Sequence, residues 1–292
     1  MKQKLRIAAI VILALVFAGS MVMVLLRVLD YRGGAEDYSE AEALVNLPEL
    51  DMVGLSGVEV DWSLPPDAEE SAPEESASQA ETSAEPEPSA EPKPRLTQEE
   101  YEQVLKGMDL SALRAVNDDV IGWIVIPGTA VSYPLVQGSD NQYYLNHTWK
   151  GVQRSVGAIF MEQRSSADFS DFHTIIYGHR MSDSSMFHTL LSYSRENFYQ
   201  SHPVVYIVRD GECRRYRIFS SYEASVDGTT YTLGFRGDEE RQEFINYCLT
   251  QSAIYTGIAP PVDGKILTLS TCTNAGSADT RWVVHAVLEK VI

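Results

Sequence analysis

The chain changes character several times along its length, and the spacing of apolar and polar positions marks each change. Residues 7–26 are a run of 20 residues without a charge. At about 1.5 Å per residue a helix of that length spans roughly 30 Å, the thickness of a bilayer's hydrocarbon. Residues 33–63 are mixed, and Tyr38, Leu44, Val45 and Leu47 predict a short helix after the apolar run. Residues 65–94 are built almost wholly of Pro, Glu, Ser and Ala. Such a segment has too little apolar surface to offset the entropy of ordering, so it reads as a disordered linker. At about 3.1 Å per residue it would reach on the order of 90 Å and hold whatever follows away from a bilayer.

Periodic patterns return at Thr97. TQEEYEQVLKGM opens with Thr97 and Glu100 at capping-box spacing and predicts a helix, and LSALRAVN predicts a second. Runs rich in β-branched and aromatic residues then predict strands at 121–126, 132–136, 158–161, 174–177, 204–208, 214–222, 265–271 and 281–291. Eight strands with few helices indicate a mainly β fold, a closed or nearly closed barrel. Helical interruptions are expected at 185–193 and 238–251. In the second, Phe244 and Cys248, like Ile245 and Leu249, are four apart and form one apolar face. The expected organisation is an N-terminus at 1–6, a transmembrane helix at 7–26, a juxtamembrane segment at 27–64, a linker at 65–96 and a folded domain at 97–292.

Charge narrows the partners. The 292 residues carry a formal net charge of -18. The first 96 hold 7 basic and 18 acidic residues, so the anchor and linker are more acidic per residue than the domain, as suits a solvated tether. Nucleic acid is not an expected partner, because phosphate binding needs clustered Lys and Arg. Lys2, Lys4 and Arg6 precede the apolar run, and Glu36, Asp37, Glu40 and Glu42 follow it. The positive-inside rule therefore predicts a single-pass protein of the cell membrane, with its N-terminus cytoplasmic and its domain outside. A cleaved signal peptide is the alternative, with Ala18-Gly19-Ser20 as the cleavage site. The apolar run continues past it to Leu26, which favours an uncleaved anchor.

Three cysteines, Cys213, Cys248 and Cys272, make no disulfide framework. Cys248 falls on the apolar helix face, and Cys213 sits at a Gly-Glu-Cys turn. Cys272 ends a strand, and Arg281 begins the next across a polar loop containing Asn274, Gly276, Ser277 and Asp279. A cysteine at a strand end is by itself as readily a small packing residue as a reactive one. The histidines shift that balance. His285 lies within the last strand, and His147, His173, His188 and His202 fall in polar or turn contexts, but His179 directly follows a short apolar strand ending at Gly178. A Cys and a His at one barrel rim make a nucleophile and its proton partner. Arg281, charged at any working pH, would donate to the oxyanion that forms. One Cys and one His with no CxxC or HExxH make a poor zinc site, and no Walker-type or GxGxxG loop is present, so neither metal nor cofactor is expected.

TLSTC, followed by Arg281 and WVVHAVL, with IIYGH upstream, resembles the sortases, membrane-anchored cysteine transpeptidases of Gram-positive bacteria. DVIGWIVIPGTAVSYPLVQGSDNQYYLNH (119–147), GAIFMEQR (157–164) and YGHRMSDSSMF (177–187) resemble class B members in particular, as does the helix expected before the last two strands. The resemblance covers residues 97–292. It implies an eight-stranded sortase-type barrel with N-terminal helices, Cys272 as nucleophile, His179 as proton-transfer residue and Arg281 as oxyanion and substrate clamp. Ser270 and Thr271, with Asn141 and Leu145, would contact the sorting peptide of a secreted surface protein. The acyl group would pass to an amine of a peptidoglycan precursor or a pilin lysine. Some class B members carry an acid two residues after the cysteine; here that residue is Asn274, and Asp279 is a candidate substitute. A cysteine endopeptidase would use the same three residues, and a stalked binding module would lack one of them.

Overall fold

Alternation of apolar positions turns one face of each strand into a barrel core, and in this chain part of the outer face is covered as well. The computed structural model describes residues 2–45, 60–61, 96–272 and 279–292. Its strands are β1 (Val60–Asp61), β2 (Leu96–Thr97), β3 (Val120–Val125), β4 (Ser132–Val136), β5 (Ile159–Met161), β6 (His173–Tyr177), β7 (Val204–Arg209), β8 (Glu212–Ser225), β9 (Ile266–Cys272) and β10 (Thr280–Val291). Its α-helices are α1 (Lys2–Leu44), α2 (Gln98–Lys106), α3 (Ser111–Val116), α4 (Glu196–Ser201) and α5 (Asp238–Gln251). The eight longer strands close in the order β10-β8-β7-β3-β4-β5-β6-β9. Two neighbours, β4/β5 and β6/β9, run parallel; the rest are antiparallel.

The largely apolar stretch of β10, broken only by the buried His285, shows how the barrel is covered. Val284 and Ala286 join the main core with Trp123, Leu135, Ile176 and Leu269. Val283 and Val287 face the other way, into a second cluster where Phe244, Ile245 and Cys248 of α5 lie against Phe219 and Tyr222. A strand buried on both faces loses the polar half of its alternation. The predicted i, i+4 face of α5 is thus the one that covers the barrel, and its first turn carries Asp238, Glu239 and Glu240, as the helix dipole favours. The capping box of α2 forms as its sequence predicts, with Thr97 and Glu100 exchanging bonds.

The N-terminal region departs from the expected boundaries. α1 does not stop near Leu26; it runs unbroken to Leu44, so residues 27–44 continue the helix. Its apolar side chains from Ile12 to Leu29 are exposed, and this stretch is long and apolar enough to cross a membrane. Beyond it, Tyr38, Ala41 and Val45 are buried in the main core. Leu96, expected in the linker, lies in β2, paired in parallel with Val60 and packed on the core. Most of the predicted linker, residues 65–95, lies outside the described residues.

Candidate active site

Strand register alone assembles most of the rim. In the antiparallel β9–β10 ladder, Cys272 is the partner of Arg281. β6 runs parallel to β9 with Tyr177 opposite Ser270, and the Gly178 N–H continues the ladder by donating to the Ser270 carbonyl at 3.1 Å. Extending that register two residues sets His179 at the level of Cys272. The Cys272 side chain and residues 273–278, Asn274 among them, lie outside the described residues. Arg281 is half-buried, and its Nη1 donates to the Thr280 carbonyl at 2.8 Å. Asp279 is exposed, and its carbonyl accepts from Val226 N at 3.0 Å.

His179 is held by groups remote in sequence. Its Nε2 lies 2.6 Å from the Leu145 carbonyl oxygen. A carbonyl only accepts, so Nε2 carries the hydrogen in this bond, which fixes the tautomer of a neutral ring with Nδ1 unprotonated. Leu145 ends a 3-10 turn, Tyr143–Leu145, in the loop from β4 to β5. Gly157 also borders the ring; it has φ +60°, and a Cβ there would stand 2.8 Å from ring Cδ2 and equally close to the carbonyls of Leu145 and Tyr144. Only glycine fits that backbone conformation and that space.

These residues surround one cleft of about 550 Å³. Its walls include His179, Arg281, Ser270, Thr271, Asn141 and Leu145, six of the residues that the sequence nominates; Asp279 is not among the lining residues. The structure adds Tyr177 and Tyr231 to the lining. Tyr231 OH and Ser270 Oγ are 2.9 Å apart, which ties the segment before α5 to β9. Behind Asn141 stands Glu162, 1% exposed, a residue sequence reasoning passed over. Glu162 accepts from Asn141 Nδ2 at 2.6 Å, Tyr177 OH at 3.0 Å and Arg164 Nε at 2.8 Å. Burial pushes its carboxyl up, but the bonds from Arg164, Tyr177 and Asn141 outweigh this and hold it below the usual range. A lone acid directly after the apolar run of β5 was the available signal for Glu162. Tyr231 lies in a stretch without periodicity and gave none.

The other two thiols are poorly suited to nucleophilic attack. Cys213 and Cys248 are fully buried, and burial pushes each up to about 12, so both stay protonated at neutral pH.

A closed eight-stranded barrel with a histidine on one side of a rim cleft, and a cysteine-bearing strand end facing an arginine on the other, has the layout of a barrel-type cysteine acyltransferase. The profile of the sortase domain matches residues 124–289. Sortase B of Staphylococcus aureus is 33% identical over 183 residues, covering 62% of this chain and 73% of that protein. A solved S. aureus sortase B–substrate complex superposes with a TM-score of 0.59 at 32% identity, covering 62% of this chain and 84% of that one. A sortase B complexed with triglycine gives a TM-score of 0.59 at 32% identity, covering 62% and 85%. The chain belongs to the sortase family, class B, and is a cysteine transpeptidase.

Proposed function

We propose that this sortase is anchored by the apolar half of α1 and cleaves a sorting signal in secreted proteins, using Cys272, His179 and Arg281. The observation that carries the assignment is the register: Cys272 is paired with Arg281, and His179 shares the cleft with that arginine. In the first half-reaction the Cys272 thiol gives its proton to His179 Nδ1, and the sulfur bonds to the backbone carbonyl carbon of the signal's Thr. Arg281 donates to the resulting oxyanion. The C–N bond breaks, the Nδ1 proton passes to the leaving amine, and a thioester remains. In the second half an acceptor amine attacks the thioester carbon, its proton goes to Nδ1, and the thiol leaves. The Nε2–H stays on the Leu145 carbonyl throughout, so one nitrogen orients while the other works. The cleft walls limit access of water, the competing nucleophile.

Substrate and triglycine complexes of solved sortase B proteins support a peptide donor and an amine acceptor for this chain. A peptidoglycan-precursor amine or a pilin lysine is the proposed acceptor. Ser270, Thr271, Asn141 and Leu145 are proposed to contact the donor peptide. The full chain in detergent, given a peptide library with and without a small amine, should form amide product only with the amine. Mass spectrometry should trap an acyl adduct on Cys272 that Cys272→Ala abolishes. An acyl adduct on Cys213 or Cys248 instead would overturn the assignment. For topology, protease added to protoplasts should remove residues 97–292, and protection of that domain would reverse the proposed orientation.

A further inference from the structure

The second half of α1 packs on the barrel directly behind the wall that carries His179. Gly34, Tyr38 and Ala41, with Val45 just past its end, form a buried stripe at helical spacing. Adjacent glycines are poor helix formers, yet here they permit close approach. A Cβ on Gly34 would lie 2.9 Å from Val156 Cγ1, and one on Gly33 would lie 2.5 Å from the Arg154 guanidinium carbon. Polar ties fix the seat. Trp149 Nε1 donates to the Asp37 carbonyl at 2.7 Å, Lys150 Nζ donates to Glu40 at 2.7 Å, and Ser155 N donates to Asp30 at 3.2 Å. All of these barrel partners belong to the loop from β4 to β5, which also supplies Leu145 and Gly157.

Tyr38 makes the link to the cleft. Its hydroxyl, kept protonated by burial, donates to the Gly157 carbonyl at 2.6 Å. Gly157 is the residue whose backbone abuts the His179 ring. The Tyr38 ring also meets Tyr133 edge-on, with centroids 5.3 Å apart, and Tyr133 OH accepts from Met186 N at 3.0 Å. Met186 precedes Phe187, whose N–H closes the His179 turn on the His179 carbonyl at 2.9 Å. One side chain of α1 thus braces both the floor beneath the imidazole and the turn that bears it.

We infer that residues 30–45 are part of the catalytic unit and that Tyr38 is a positioning residue for His179, acting through Gly157. This rests on the reading of His179 as the proton-transfer group. Because α1 is one helix, its apolar half and its docked half are rigidly joined, and the cleft sits at a set height and angle above whatever α1 crosses. β1 and β2 pair the chain on either side of the predicted linker, Val60 with Leu96.

Two measurements on the full chain in detergent test this. In the first, a protease site is placed within residues 65–94 and an affinity tag at the N-terminus. After cutting, the fragment carrying residues 96–292 should stay on the resin with the N-terminal fragment; its loss in the wash would overturn the docking. In the second, Tyr38→Ala and Tyr38→Phe are compared by NMR of the His179 ring and by the pH profile of kcat. Tyr38→Ala should move the ring resonances, shift the profile and lower kcat about tenfold at near-constant KM, as a misplaced catalytic group does. Tyr38→Phe, which keeps the edge contact but loses the hydroxyl, should fall between. The ring resonances report position whether or not any peptide is cleaved, so a chain with no activity would sink the functional reading alone. Unmoved His179 resonances in Tyr38→Ala would overturn the positioning role.

Discussion

On one side of the cleft, β9 and β10 run together over seven register pairs, from Arg281↔Cys272 to Val287↔Ile266, and β6 adds a parallel ladder to β9. On the other side, His179 rests on the Leu145 carbonyl, on Gly157 and, behind them, on α1. The first wall is held by backbone bonds repeated along strands, so its geometry survives many side-chain changes. The second is held by a few close contacts between segments far apart in sequence, where one added atom has no room. The walls should therefore break differently. On the strand wall, damage should come from changing the reacting group itself. On the loop wall, it should come from changing the support.

The largest effect is expected on the strand wall. Arg281→Lys keeps the charge but loses the planar fork, and should lower kcat/KM by about 10²–10³-fold, as loss of an oxyanion donor does, with the unfolding midpoint unchanged. Near-normal activity would remove the arginine from the chemistry. Gly157→Ala tests the loop wall. Its Cβ meets the His179 ring and two carbonyls at 2.8 Å, and φ +60° is unfavourable for alanine. A fall in kcat of about 10²-fold is expected, since a displacement near 1 Å costs that much. A variant as active as wild type would mean that this wall is softer than its contacts imply.

Glu162→Gln should act more mildly and chiefly on KM. The amide cannot accept from Asn141, Tyr177 and Arg164 together, so Asn141 loses its fixed pose; kcat/KM should fall about tenfold with kcat largely kept. An equal loss in kcat would implicate Glu162 in the chemical step.

The smallest effect concerns acid stability behind the strand wall. His173 Nε2 and His285 Nδ1 both bond the Thr268 hydroxyl at 2.7 Å, and His285 Nε2 lies 3.1 Å from Tyr222 OH. His173 Nδ1 donates to the Thr232 carbonyl, so its Nε2 accepts from Thr268, which in turn accepts from His285 Nδ1. Each ring is neutral and satisfied in this arrangement. Burial lowers His173 from 6.5 to about 4, and burial together with the neighbouring His173 lowers His285 well below its ordinary value. The unfolded chain therefore takes up these protons first. Their contribution is fully present above about pH 6.5 and is lost as pH falls toward 4. The unfolding midpoint should drop over that window, and less steeply in His173→Gln. A flat midpoint would contradict the neutral network.

The same contrast explains what could be read before folding was known. Cys272, Arg281 and His179 stand at strand ends, and strand ends follow from period-two runs broken by polar or glycine residues. α5 was legible because its apolar pairs repeat every four residues. The support of His179 was not, because the loop from β4 to β5 has no period to read, and no local pattern says which carbonyl will meet an imidazole. Leu145 was nominated only through family resemblance, as a cleft residue, and the structure adds that its carbonyl holds the ring. The docked half of α1 was hidden in a similar way. Gly33 and Gly34 weaken the helical signal, and their use becomes visible only beside Arg154 and Val156.

The closing strands also govern when the site comes into being. β9 bonds to β6 on one side and β10 bonds to β8 on the other, so these last two strands complete the ring. They also carry Cys272 and Arg281. A chain leaving the ribosome from its N-terminus presents His179 long before either partner exists, and contacts between segments so far apart in sequence form slowly. Closing the ring with β9 and β10 is thus also the step that brings the proposed nucleophile beside its arginine partner. An incompletely folded copy has an open sheet edge and no finished cleft, so under the proposed mechanism it should not cut a passing polypeptide before it is itself complete.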